Sequence, residues 1–98
     1  MKRSTQATPA HSEQDLITCR LIVISRYVDN IRTLSRLAER LGHLDLGTAM
    51  MEVARGMEGL SYDIATSETG TLVLRRAAKL IGTVDGVLAT KARRATLH

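Results

Sequence analysis

From Leu16 to Leu41 no glycine or proline interrupts the chain, and apolar side chains recur through that stretch at heptad spacing. Ile17, Ile24, Ile31 and Ala38 form one column. Leu21, Val28, Leu34 and Leu41 lie within about a residue of the adjoining column, and Leu16, Val23 and Leu37 widen the stripe. Ser12 stands ahead of the run as an N-cap, followed by Glu13 and Asp15, where carboxylates favour the positive end of a helix. Gly42 stands behind it, a residue type suited to the position just past a helix end. These features predict a helix near residues 13–41, roughly 42–45 Å long at 1.5 Å per residue. A compact globule of 98 residues is narrower than that, so the molecule should be elongated.

The rest of the chain also reads as helix. Residues 1–12 are polar, contain the single proline (Pro9) and lack any period, so a disordered basic arm is expected there. His43 to Gly47 reads as a turn, with Asp45 or Thr48 available to cap the next helix. That second helix, near 46–66, carries Leu46, Met50, Val53, Met57, Leu60 and Ile64 at 4-3-4-3-4 spacing. Gly56 and Gly59 lie inside it, each costing about 1 kcal/mol against alanine. With Ala49 they suggest a surface that another helix approaches closely. Ser67 to Thr71 is a second loop, and a third helix near 70–91 presents Leu74, Ala77, Ala78, Ile81, Val84 and Leu88. No strand-like alternation or internal repeat is visible. The expected organisation is all-α: an up-down three-helix bundle over residues 13–92 with a long N-terminal helix, then a basic flexible tail over 93–98.

Tyr27 and Tyr62 are the only aromatic residues, so the core must be built from Leu, Ile, Val, Ala and Met. A thin core in a short chain favours oligomerisation, and a homodimer is expected. The single cysteine, Cys19, excludes an intramolecular disulfide and reads as a small buried hydrophobe in a reducing compartment. The longest apolar run, Leu21 to Ile24, is far short of the roughly 18 residues a membrane helix needs, and no signal-like h-region follows the N-terminal charges. A cytoplasmic protein that does not engage membranes is the expectation. The formal net charge of +4 is unevenly spread. Residues 42–70 sum to −4 and residues 71–98 to +5, as neighbouring antiparallel helices would if charge helped set their pairing.

Spacings that support catalysis are missing. His11, His43 and His98 lie far apart, and Glu39, His43 and Asp45 amount to a solvated turn. Gly82 to Gly86 falls mid-helix without the lysine of a phosphate loop, and Cys19 has no histidine base in prospect. Glu52 and Glu58 stand six residues apart and point in different directions on one helix. The sequence therefore predicts no catalytic residues, no metal, no cofactor and no small-molecule substrate.

Two binding chemistries remain. Thr33 to Gly42 resembles the first helix of the helix-turn-helix in LacI-type repressors, with Ala38 and Gly42 at the small-residue positions. That resemblance implies a recognition helix from Gly47 onward. The sequence departs from the pattern there, since His43 replaces an apolar residue and Thr48 to Gly56 is apolar and acidic rather than suited to base edges. Independently of any motif, Arg32, Arg36 and Arg40 form an arginine edge, while Arg75, Arg76, Lys79, Lys91, Arg93 and Arg94 make the third helix and tail basic. These nine residues suit nucleic-acid phosphates or an acidic protein surface. The second chemistry is helix-mediated protein binding by a small antagonist, chaperone or assembly factor. Its expected interface comprises Ile17, Leu21, Ile24, Val28 and Ile31 on the first helix and Met50, Met51 and Met57 on the second. The lead expectation is a non-enzymatic regulatory or adaptor protein, and the alternative is a small basic DNA-associated regulator.

Overall fold

A computed structural model describes the backbone of residues 2–97 and the side chains of residues 13–94. The described residues form four helices and no strand: α1 (Lys2–Arg40), α2 (Leu44–Gly59), α3 (Ser61–Thr66) and α4 (Gly70–Leu97). The molecule measures 68 × 24 × 17 Å, and its radius of gyration of 17.8 Å exceeds the roughly 13 Å of a compact domain of this length. The expected elongation follows from α1, which runs unbroken through the whole heptad stretch.

Boundaries differ from those expected at both ends of the chain and in its middle, and α4, expected to end near residue 91, continues as helical backbone to Leu97. The helical backbone of α1 reaches back to Lys2, through the segment expected to be an arm. Lys2, Arg3, Gln6, Ala7 and Ala10 have good helix propensity, so helix is locally available without an apolar stripe. The side chains of residues 1–12 and 95–98 lie outside the described residues, so neither the arm nor the tail expectation is tested further. The expected second helix is two helices. Leu60, at φ −107° and ψ 15°, leaves the α region directly after Gly59 and ends α2. The amide N–H of Ile64 donates to the Leu60 carbonyl, and α3 resumes. With two glycines in its last turn, α2 has little propensity to hold the chain helical through that point.

The α1–α2 turn closes as the sequence indicates. Gly42 takes φ +90°, and the His43 amide donates to the Ala38 carbonyl while the Gly42 amide donates to that of Glu39. This is a helix C-terminal motif in which the left-handed residue is glycine because a Cβ is strained there. Gly47, expected in the turn, is instead buried in the first turn of α2, because the helix starts at Leu44. A Cβ on Gly47 would lie 2.7 Å from the Glu39 Cγ and 3.0 Å from the Ser35 carbonyl oxygen. The close approach is fixed by the buried Ser35 hydroxyl, which donates to the Gly47 carbonyl at 2.6 Å. Ser35→Ala should therefore destabilise the chain by about 1–2 kcal/mol, a bond lost and an acceptor left without its donor. Urea unfolding followed by circular dichroism measures this, with an unchanged slope.

The core is a strip along α1 covered from two sides. Ile24, Val28, Ile31, Leu34 and Ala38 of α1 meet Met50, Ala54 and Met57 of α2, Ala65 of α3, and Ala77, Val84 and Leu88 of α4. α1 touches every other helix, whereas no Cα of α2 comes within 8 Å of one in α4. The arrangement is a spine with two arms rather than a closed bundle. The expected charge pairing between the acidic and basic helices is accordingly not formed. Among the described residues the ion pair present joins Arg32 of α1 to Glu58 of α2. It is exposed, and such pairs are worth about 0–1 kcal/mol.

Candidate functional site

Helical geometry decides which side chains remain for a partner. α2 presents Met50, Ala54 and Met57 to α1. At about 100° per residue, the flank away from Glu58 carries Leu46, Ala49, Val53, Gly56 and Leu60 at 3-4-3-4 spacing. Leu46 is half-buried, and the other four are exposed. α4 presents Ala77, Val84 and Leu88 to the core, and its Ile81 and Asp85 border a small hollow with Asn30, Thr33 and Leu34 of α1. Its other flank carries Val73, Leu80 and Val87, of which Val73 and Val87 are exposed. Because Glu58 and Asp85 both lie on outer sides, next to α1, the two apolar flanks border one furrow between α2 and α4. At one end of it a hollow of about 570 Å³ is lined by His43 of the α1–α2 turn and by Gly82, Thr83, Gly86, Val87, Thr90, Lys91 and Arg94 of α4. Nothing lies within 4 Å of where a Cβ on Gly82 or Gly86 would sit. The α4 surface there is low enough for another backbone to approach.

Five of the eight residues expected at the interface are enclosed by the chain itself. Ile24, Val28 and Ile31, together with Met50 and Met57, are at most 6% exposed and form the chain's own core. Ile17, Leu21 and Met51 are half-buried. The heptad of α1 correctly marks an apolar face, but α2 and α4 already cover it. The wide apolar arc of α1 does leave residues uncovered: Leu16, which borders a hollow with Ala65 and Thr66 of α3, is about half exposed, as is Ile22 on the far side of α1. Cys19, expected to be buried, is exposed there as well, since the companion helices sit on the Ile17, Arg20 and Leu21 side. Gly56 and Gly59, expected to admit a close helix, have no neighbour within 4 Å of an added Cβ.

The basic residues divide by use. Arg32 is half-buried and paired with Glu58, so it is not free for phosphate. Arg36 and Arg40 are exposed, as are Arg75, Arg76, Lys79, Lys91, Arg93 and Arg94. Arg20, which no sequence pattern singled out, has a structural task. It reaches from α1 to donate to the Ala65 carbonyl at 3.1 Å and to the Thr71 hydroxyl at 3.0 Å, tying the α3–α4 junction to the spine. Its only sequence signal is an arginine beside the apolar columns Ile17–Ile24 and Leu21–Val28.

Among the described residues no three His, Cys, Asp or Glu side chains gather as a metal site would require, and no helix is long and apolar enough to cross a membrane. The described side chains thus combine uncovered apolar flanks on α2 and α4 with a net charge of −2 on α2 and +5 on α4. Searches for similar proteins find no family model, no curated protein and no solved structure that matches this chain.

Proposed function

We propose that this chain is a non-enzymatic regulatory or adaptor protein of the cytoplasm that works by binding other proteins helix to helix. The observation that carries this reading is the furrow between α2 and α4, with Val53 at 38%, Leu60 at 55% and Val87 at 51% exposure flanking a covered core. An apolar seam with charged rims is the pattern of a helix-in-groove interface. Such a seam gains free energy when another helix removes it from water, at about 25 cal/mol per Å² buried. A photo-cross-linking residue at Val53 or Val87, introduced in the cells that make the protein, tests it. Nuclease-resistant cross-links to protein are expected from both positions, and far fewer from Arg36, which lies on another face. Absence of protein cross-links from both furrow positions contradicts the reading.

A second reading rests on a separate observation. Arg75, Arg76, Lys79, Lys91, Arg93 and Arg94 are all exposed along α4, with Asp85 the only acid between them. Phosphate binding by that surface would give an affinity for duplex DNA that falls steeply with salt. Cross-links from Val87 that disappear with nuclease would favour this alternative.

A further inference from the structure

The furrow has a property that narrows its occupant. α2 carries Asp45 and Glu52, α4 carries Lys79 and Lys91, and all four are exposed. α2 itself sums to −2, with Arg55 against Asp45, Glu52 and Glu58, and α4 sums to +5. Among the described residues of one chain these charges form no ion pair with one another, and no Cα of α2 comes within 8 Å of one in α4. The one ion pair formed among the described residues engages Glu58 with α1 instead. A chain whose two arms are complementary but separated is complementary to a second copy of itself.

We infer that the furrow is closed by a second copy of this chain, in a two-fold dimer that lays α2 of each protomer on α4 of its partner. This rests on the protein-binding reading above and names the partner. The direction of the symmetry axis is set by the charges. A two-fold axis parallel to the helices places each acidic α2 over the other protomer's basic α4, twice. A two-fold axis running across the furrow would stack α2 on α2 and α4 on α4, bringing like charges together. The register is set as well, because a parallel axis preserves height along the helices. His43 shares its hollow with Gly86, Thr90 and Lys91, so Asp45, two residues further along the antiparallel α2, stands near the height of Gly86 to Leu88, within reach of the long Lys91 side chain. Glu52, seven residues further along, stands near the height of Lys79 to Ile81. Gly82 and Gly86, with open space above them, let the incoming α2 approach closely. The apolar contact is made by Val53 and Leu60 of one protomer against Leu80 and Val73 of the other.

Sedimentation of the full chain tests this, with a paired charge swap to fix the arrangement. The wild-type protein is expected to sediment at twice its 10.7 kDa chain mass at micromolar concentration. One variant carries Asp45→Lys with Glu52→Lys, and the other Lys79→Glu with Lys91→Glu. Each alone should keep the wild-type helical signal and lose self-association at least tenfold, because its α2 and α4 then bear like charges. Mixed in equal amounts, the two variants should form a heterodimer, since both contacts are complementary again. A wild-type chain that stays monomeric at 100 µM overturns the inference, as does a mixture that fails to associate. If that monomer still cross-links from Val53 and Val87 to a different protein, only the second-copy assignment falls and the protein-binding reading stands. If it cross-links to nothing, both fall.

Discussion

Gly70→Ala is expected to be among the most damaging single-methyl additions the chain can receive. Gly70 begins α4 and is buried beneath the end of α3. A Cβ at that position would land on the carbonyl oxygen of Ile64, and backbone cannot swing aside as a long side chain can. The junction has little slack. The Gly70 amide donates to the Ser67 carbonyl, the Ser67 hydroxyl contacts both the Thr69 amide and the Thr69 hydroxyl, and Arg20 clamps the neighbouring Ala65 carbonyl. Overpacking in a closed site costs about 1–3 kcal/mol and sometimes more, and a backbone clash belongs at the upper end. Thermal unfolding should show a drop of at least 8 °C, taking about 4–8 °C per kcal/mol for a domain this small. Gly56→Ala is the control: open space surrounds that position, and the substitution should stabilise α2 by up to about 1 kcal/mol. Equal effects at the two glycines would contradict the described α3–α4 junction.

Ile31→Asp is expected to unfold the isolated chain. Ile31 has no exposed surface and lies in the middle of the strip that α2 and α4 cover. Loss of a large aliphatic side chain from such a site costs about 2–5 kcal/mol, and a buried unpaired carboxylate adds several more. Total stabilities of small domains are about 5–15 kcal/mol, so little would remain. Ile31→Val, a smaller cavity, should cost only about 0.5–1.5 kcal/mol and leave the helical signal intact. The alternative, in which Ile31 faces a second molecule, gives a different outcome: a folded monomer with a more polar surface. Circular dichroism combined with sedimentation separates the two.

These two residues also show where sequence reasoning reaches and where it stops. The unbroken α1, its termination at Gly42 and the apolar identity of Ile24, Val28 and Ile31 are all legible, because helix period and capping are local. Whether an apolar face meets its own chain or another is not local. It depends on where α2 and α4 come to rest, and no periodicity encodes that. The second helix illustrates the same limit. Its 4-3-4 pattern includes Met50 and Met57, which are buried, and Val53 and Leu60, which are exposed. The apolar pattern is wider than the core it feeds, so a single stripe serves two faces. The break at Leu60 depended on Gly59, a residue whose cost was visible but whose consequence was not. Cys19 misled for a related reason: its apolar neighbours in sequence give no sign that it sits on the uncovered side of the spine.

The central claim is that α1 is a spine whose apolar face is covered by the chain's own α2 and α4. Hydrogen exchange of the full chain at successive dilutions tests it most directly. The slowest amides should fall within Ile24 to Ala38 and keep that rank at every concentration, including those at which any dimer has come apart. Protection over Ile24 to Ala38 that vanishes on dilution to the level of exposed loops would show that a second molecule, and not this one, had been covering the spine.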